Sequence, residues 1–384
     1  MNMNNPIMYR RDRQVEKILV LQGGGSLGAF ACGVFKALRR LDLKFDIIAG
    51  TSIGAVNAAI IAGSKSDEPD KALEEFWLEV AESSYDIIPE LLIPVYSIDG
   101  LQFKRIPSGA INSILFGVPK MFIPKWMLIH NYNIINAYYW SNWTYAYDHS
   151  VMQNTLSKYV DFARLRPDGR GTRLIVTAVN VLTAEHLIFD SARMKIEAKH
   201  ILASTAASQY GFPWVEVDKG IFAWDGALIS NTPLREVLIA SPKNDKEVYI
   251  VENYPQVRSN LPRNLIEVVD RSRDIIFSDK TSHDIEVFNK LTCLIDLVEF
   301  LYNRIIRDGS DDIPPSIREA YKDLIENHGA EILAVYKISR RELDTPYLLK
   351  NADFSRRTIK ELIKQGEELA YQQLQRVVNQ QNQQ

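Results

Sequence analysis

Residues 17–63 read KILVLQ-GGGSLG-AFACGVFKALRRLDLK-FDIIAG-TSIG-AVNAAIIAG. KILVLQ (17–22) is a short apolar run that ends in glycines, the pattern of a strand buried on both faces of a parallel sheet. After Gly23–Gly28, apolar residues recur at Leu27, Ala31, Val34, Leu38 and Leu41, close to the 3.6-residue helical period, and Lys36, Arg39 and Arg40 fall outward. FDIIA (45–49) predicts a second strand. AVNAAIIAG, apolar on nearly every side, predicts a buried helix. Strand, glycine turn, helix, strand, glycine turn, helix is the opening of an α/β fold with a parallel sheet.

The rest of the chain is read outward from this unit. The sequence has 384 residues, of which 46% are hydrophobic and 24% charged, ordinary for a folded protein large enough to bury a sizeable core. Its 45 Lys and Arg against 48 Asp and Glu leave a net charge of −3, without the basic excess of a nucleic-acid binder. Two cysteines, Cys32 and Cys293, build neither a disulfide framework nor a four-cysteine zinc site. No cofactor or metal is expected. The polar start MNMNNPIMYRRDRQ has no secretory h-region, and no apolar run reaches the ~18 residues of a bilayer span. The expectation is therefore a cytoplasmic protein, with peripheral membrane contact left open because that needs only an exposed apolar surface.

Residues 85–150 break the α/β pattern. Between Arg105 and Asp148 the only charges are Lys120 and Lys125, and Trp126, Trp140 and Trp143 alternate with tyrosines. This stretch is expected to be an inserted cap. Beyond it, 174–182 and 185–190 predict a hairpin, 195–206 a helix, 214–217 and 221–224 strands, and 247–253 a further strand. Thr232 is expected to cap a helix that starts at Pro233. After about residue 260 the pattern is mainly helical and charged. The expected organisation is a flexible N-terminus (1–14), a catalytic domain (15–260), a helical C-terminal extension (261–375) and a frayed tail (376–384).

Three motifs carry chemistry. Gly50-Thr51-Ser52-Ile53-Gly54 is a G-x-S-x-G with an apolar strand before it and an apolar helix after it. In such a turn the serine hydroxyl is exposed, glycines avoid clashes with the flanking strand and helix, and the helix amides face developing negative charge. An idle serine in a tight turn is the plainer alternative. Gly23-Gly24-Gly25-Ser26-Leu27-Gly28 satisfies the dinucleotide pattern G-x-G-x-x-G, but the second strand ends in Ala49-Gly50-Thr51-Ser52, with no acidic residue to hold a ribose. Glycine amides beside a nucleophilic serine suit an oxyanion hole better. Asp225-Gly226-Ala227 taken alone is ordinary turn chemistry. A serine needs a base. Of the six histidines, His186 falls in an expected strand and His200 in an expected helix, His283 and His328 fall in the charged helical region, and none has a turn-like catalytic context.

GGGSLG, GTSIG and DGA in this order resemble the patatin-like phospholipase family, and the segment Ala203–Ala206 followed by Gly211-Phe212-Pro213-Trp214 resembles the stretch before that family's aspartate. The resemblance covers about residues 17–252. It implies an α/β, patatin-like three-layer fold with a mainly parallel central sheet. It also implies a Ser-Asp dyad without histidine, with Ser52 as nucleophile, Asp225 as base, and Gly23, Gly24 and Gly25 forming the oxyanion hole. Gly28, Gly50, Gly54, Gly226 and Ala227 complete the motifs. The implied activity is hydrolysis of lipid carboxylic esters through an acyl-enzyme. Hydrolysis of hydroxyacid oligomers or acyl transfer on the same dyad, and a silent membrane-associated scaffold, are the alternatives. Two departures from the family pattern bear on substrate class: Leu27 stands where many members carry Arg, and Gln22 where an acidic residue is frequent. Trp126, Trp140 and Trp143 are the expected substrate wall.

Overall fold

The structure, a computed structural model, describes residues 14–89, 97–98, 101–102, 107–127, 143–168, 171–254, 257, 261–262, 265–278, 281–307, 313–341 and 349–381. The expected flexible N-terminus, apart from residue 14, and residues 382–384 of the expected tail lie outside them.

The first unit forms as its pattern predicts. Strand β1 (Val15–Leu21) leads through the glycine loop to helix α1 (Ala29–Arg40), and β2 (Ile47–Gly50) leads through the serine turn to α2 (Ile53–Ala62). Helix α3 (Pro69–Ser83) follows. The inserted stretch holds the short pair β3 (Ser97–Ile98) and β4 (Leu101–Gln102), helix α4 (Ser108–Phe116), and the pair β5 (Ile123–Pro124) and β6 (Tyr147–Asp148). Then come α5 (Met152–Tyr159), β7 (Arg173–Asn180), β8 (His186–Asp190), α6 (Ala198–Thr205), β9 (Val215–Asp218) and β10 (Ile221–Asp225). The chain continues with α7 (Leu234–Ala240), β11 (Asp245–Glu252), α8 (Leu265–Phe277), α9 (Thr281–Arg307), α10 (Pro315–His328), β12 (Ile332–Ser339) and α11 (Arg356–Gln381).

The eight-stranded sheet is mainly parallel: β12, β11, β1, β2 and β7 run side by side in one direction, and β8, β9 and β10 complete it by antiparallel pairing. Apolar side chains cover both faces. Leu19, Leu21 and Ile48 join α1, α2, α3 and α11 on one side, while Ile18, Val20, Ile47 and Ala49 pack with Leu234, Val237 and Leu238 of α7 on the other. Alternate residues of β1 thus enter different cores, which is why the strand reads as a continuous apolar run. The one polar side chain inside α2, Asn57, has partners at both ends of its amide: it donates to the Gly28 carbonyl (2.9 Å) and accepts from the Trp77 indole (3.0 Å).

The region after 260 is mainly helical, as expected, and adds one strand, β12, which joins the sheet in parallel beside β11. Helix α11 packs on the α/β unit. It lies along α1 so closely that a Cβ on Gly33 would strike the Ile363 carbonyl, and one on Gly366 the Phe30 carbonyl. The same helix continues to Gln381, through most of the expected frayed tail. At α7 the difference is one residue: the helix starts at Leu234 with Pro233 at the cap position, and the Thr232 hydroxyl instead accepts from the Gln22 side chain at 2.8 Å.

Candidate active site

The glycine loop and the serine turn emerge from the carboxyl ends of adjacent parallel strands, β1 and β2, where α/β sheets commonly bind ligands. Strand register then brings in Asp225. Gly50 pairs with Val176 of β7, and Ala178, two residues further, pairs with Asp225 at the end of β10. Ser52, two residues past Gly50, is level with that aspartate.

The turn is tightly constrained. Ser52 has φ 56° and ψ −129°, a conformation that L side chains rarely adopt. A Cβ on Gly50 would run into the Gly54 backbone, and a Cβ on Gly54 into the Leu21 carbonyl. The Ser52 amide donates to the Ser204 hydroxyl at 3.0 Å, and Thr51 Oγ1 shares a hydrogen bond with Thr177 Oγ1 at 2.7 Å. These contacts explain both glycines of the G-x-S-x-G and hold the serine where strand becomes helix.

Asp225 is buried. Its carboxylate accepts from the Ala227 amide at 2.8 Å, and the Ser52 side chain stands beside it. Burial pushes its pKa up to about 7, and the Ala227 amide and the Ser52 side chain pull the other way without reversing the shift. The neighbouring Gly226 has no room for a side chain against Thr177.

Three of the described histidines, His186, His200 and His149, have partners other than Ser52. His186 Nδ1 is 3.2 Å from the Glu236 carboxylate, and His200 Nδ1 accepts from the Glu197 amide at 2.9 Å while burial pushes its pKa down to about 4. His149 is nearer, in the wall of the cavity beside Ser52, but its Nε2 bonds the Leu202 carbonyl at 3.0 Å and burial lowers its pKa.

A cavity of about 280 Å³ opens over Ser52 and Asp225. Met121, Phe122 and Tyr147 from the inserted stretch and Phe212, Phe277 and Phe354 from later segments give it an apolar wall. Of the expected tryptophans, Trp126 and Trp143 do not form that wall. Trp126 donates its indole N–H to the Leu115 carbonyl at 3.0 Å and packs edge-on to Tyr147, one layer behind the cavity. Trp143 lies under the Lys125 ammonium, 4.9 Å from its ring centre. Trp140 is outside the described residues.

The glycine loop divides. Gly23 donates its amide to the Asn231 carbonyl at 3.1 Å, so its N–H is spent on the scaffold and the expectation of an oxyanion donor there is corrected. Gly24 (φ 156°) and Gly25 (φ 57°) line the cavity. Leu27 packs fully buried in the apolar core rather than in the cavity.

Two contributions escaped sequence reading. Gln22 is a buried staple whose carbonyl oxygen accepts from the amides of Asn253 (2.7 Å) and Tyr254 (2.9 Å) and whose NH₂ donates to Thr232. An acid at this position would lack that donor. Residues 349–354 supply Leu349, Asn351, Ala352 and Phe354 to the cavity from more than 290 positions away in the chain. Only the apolar residues of that segment, next to a helix start, hinted at burial.

Comparison with known proteins agrees with the motifs. The sequence model of the family described as "Patatin-like phospholipase" matches residues 19–238. A stretch of 79 residues, 21% of this chain, is 37% identical to "Patatin-like phospholipase domain-containing protein 7" of Mus musculus and spans 6% of that protein's length. Over 44 residues, 12% of this chain, identity to "Lysophospholipase nte1" of Aspergillus terreus reaches 54%, spanning 3% of that protein. The crystal structure of VipD from Legionella pneumophila superposes over 98% of this chain and 72% of its own, with TM-score 0.37 and 12% identity, too loosely to carry an argument.

Proposed function

The chain belongs to the patatin-like phospholipase family, and on that premise we propose that it hydrolyses carboxylic esters of lipids through a Ser52–Asp225 dyad. The observation that carries this reading is a buried carboxylate with a pKa near neutrality beside the Ser52 side chain, both lining an apolar cavity.

Chemistry follows from that pairing. Ser52 Oγ attacks the acyl carbonyl carbon while its proton passes to the Asp225 carboxylate. A carboxylate with a pKa of about 7 takes that proton more readily than one near 4. The carbonyl oxygen becomes an oxyanion that accepts from the Gly24 and Gly25 amides. The Ile53 amide, first of α2 and without an intrahelical acceptor, adds to the positive end presented there. Collapse breaks the ester C–O bond, and the leaving alkoxide takes the proton from Asp225. Water then attacks the acyl-enzyme, Asp225 accepts its proton, and collapse returns that proton to Ser52 as the fatty acid leaves. The apolar wall around Phe122, Phe212 and Phe354 holds the acyl chain out of water.

Family membership and the match to a lysophospholipase favour a lipid ester over a water-soluble one. Among the described residues no helix is long and apolar enough to cross a membrane. Purified protein should release p-nitrophenol from p-nitrophenyl esters and fatty acid from lysophospholipid micelles, and a fluorophosphonate should label Ser52. An unlabelled Ser52, or turnover surviving in Ser52→Ala, would overturn the assignment.

A further inference from the structure

Two positive-φ glycines beside each other cannot hold their own geometry, since glycine occupies both halves of φ space with little preference. An oxyanion hole works only if its amides are fixed before the reaction begins. Something outside the loop must therefore fix it. The structure supplies that brace from the far end of the chain. Ser26 donates its hydroxyl to the Lys350 carbonyl at 3.0 Å. The Asn351 carbonyl lies so close to Gly25 that a Cβ there would strike it. Asn351 also donates to the Tyr210 hydroxyl at 3.1 Å, and its side chain and that of Tyr210 both line the cavity.

This segment is itself held by a buried charge cluster. Lys350 Nζ lies 2.6 Å from Asp274 Oδ1 and 3.4 Å from Asp270 Oδ1, with all three residues buried. Both aspartates stand on α8, whose last carbonyl, that of Phe277, accepts from Gln22 at 3.3 Å and from Asn231 at 2.8 Å. Helix α8 thus grips the residue before the glycine loop and the turn that follows Asp225, while through Lys350 it presses residues 349–352 onto the loop. Leu349 holds φ 62°, a strained conformation for leucine that persists only where surroundings impose it.

We propose that the buried Lys350–Asp274 ion pair is the positioning device of the oxyanion loop, acting through the Lys350 carbonyl and Asn351 on Gly25 and Ser26. The inference rests on the reading of Gly24 and Gly25 as oxyanion donors. An ion pair serving stability alone would have no reason to place its own backbone carbonyl on Ser26.

The test uses the full chain and p-nitrophenyl butyrate, with kcat, KM and the melting temperature measured separately for Ser26→Ala, Lys350→Met, Asp274→Asn, Ser26→Ala/Lys350→Met and Ser52→Ala. Displacing a donor by a fraction of its hydrogen bond should cost less than the ~100-fold or more of deleting one. Lys350→Met and Asp274→Asn should each lower kcat about 10- to 100-fold with KM within about 3-fold. Ser26→Ala should lower kcat about 5-fold with only a small fall in melting temperature, and the double variant should be no slower than Lys350→Met, because the two act on one contact. Wild-type kcat in folded Lys350→Met, or effects that multiply in the double variant, would overturn the inference. If Lys350→Met does not fold, Ser26→Ala decides: wild-type kcat there overturns it. Turnover persisting in Ser52→Ala sinks the site assignment itself, whereas an inactive Ser52→Ala beside Ser26, Lys350 and Asp274 variants of full kcat sinks only this inference.

Discussion

At Ser52 the backbone itself is under strain: φ 56° costs a non-glycine residue about 1–3 kcal/mol. Alanine keeps that strain and removes only the hydroxyl, so Ser52→Ala should abolish turnover while leaving the melting temperature close to wild type. Ser52→Gly should be equally inactive yet melt higher than Ser52→Ala, by a stability gain of about 1 kcal/mol. Equal melting of the two variants would mean that the turn is not strained. Asp225 stores a second cost, in burial. Its folded-state pKa of about 7 exceeds the ordinary carboxylate value of 3.8, so between those two pH values the folded protein holds a proton that the unfolded chain has lost. Stability from this group is fully present below about pH 4 and is lost as pH rises through 7. Asp225→Asn should therefore be as inactive as Ser52→Ala and, at pH 8, more stable than wild type by a few kcal/mol, on the order of 3. Chemical denaturation at pH 5 and pH 8 checks the sign: the gain must grow with pH. The active form of the dyad is the carboxylate, so kcat/KM should rise with pH up to about 7 and then level. This limb falls where an imidazole would also titrate, so histidine substitution, not the pH profile, separates a dyad from a triad. Variants of His149 and His186 should keep turnover that Ser52→Ala lacks.

At the scale of elements, the inserted stretch and α11 do different work. Phe122 touches the cavity, whereas Trp126 stands behind Tyr147. Phe122→Ala should shift the ratio of short- to long-chain ester turnover toward long chains. Trp126→Ala should lower the melting temperature and leave that ratio unchanged, and the opposite pattern would return the tryptophan to the acyl wall. Low charge and aromatic spacing made the stretch legible as a wall. They could not say which aromatics face inward, because Trp, Tyr and Phe serve equally well in the lining and in the layer behind it. The crossing of α1 and α11 depends on two glycines that let the helix backbones meet. Gly366→Ala forces them apart and should destabilise the protein by about 1–3 kcal/mol, read as a lower urea midpoint with an unchanged slope.

At the scale of the whole molecule, the chain closes on its own beginning: β12 extends the sheet, α11 covers α1, and residues 349–354 complete the cavity. Deleting residues 349–384 should thus remove a core layer as well as activity, giving a protein that lacks a cooperative thermal transition. A stable, active truncated chain would contradict this packing. The boundary between a catalytic domain and a helical extension was the natural reading of composition, since residues after 260 are more charged and follow a helical period. Read from the residues alone were the α/β unit, the serine turn and the order of the three motifs. Each depends on spacing within a few residues: alternation between apolar runs and glycines sets local geometry, and only glycine fits at positions 50 and 54, two residues either side of Ser52. Tertiary structure alone decided that Gly23 spends its amide on Asn231, that Gln22 is a buried staple, that Asp225 is buried enough to titrate near 7, and that Lys350 reaches Ser26 across 324 positions. A hydrogen bond, a desolvation cost or a close backbone contact is set by which atoms arrive beside a residue, and nothing in that residue's own neighbourhood along the chain specifies those atoms.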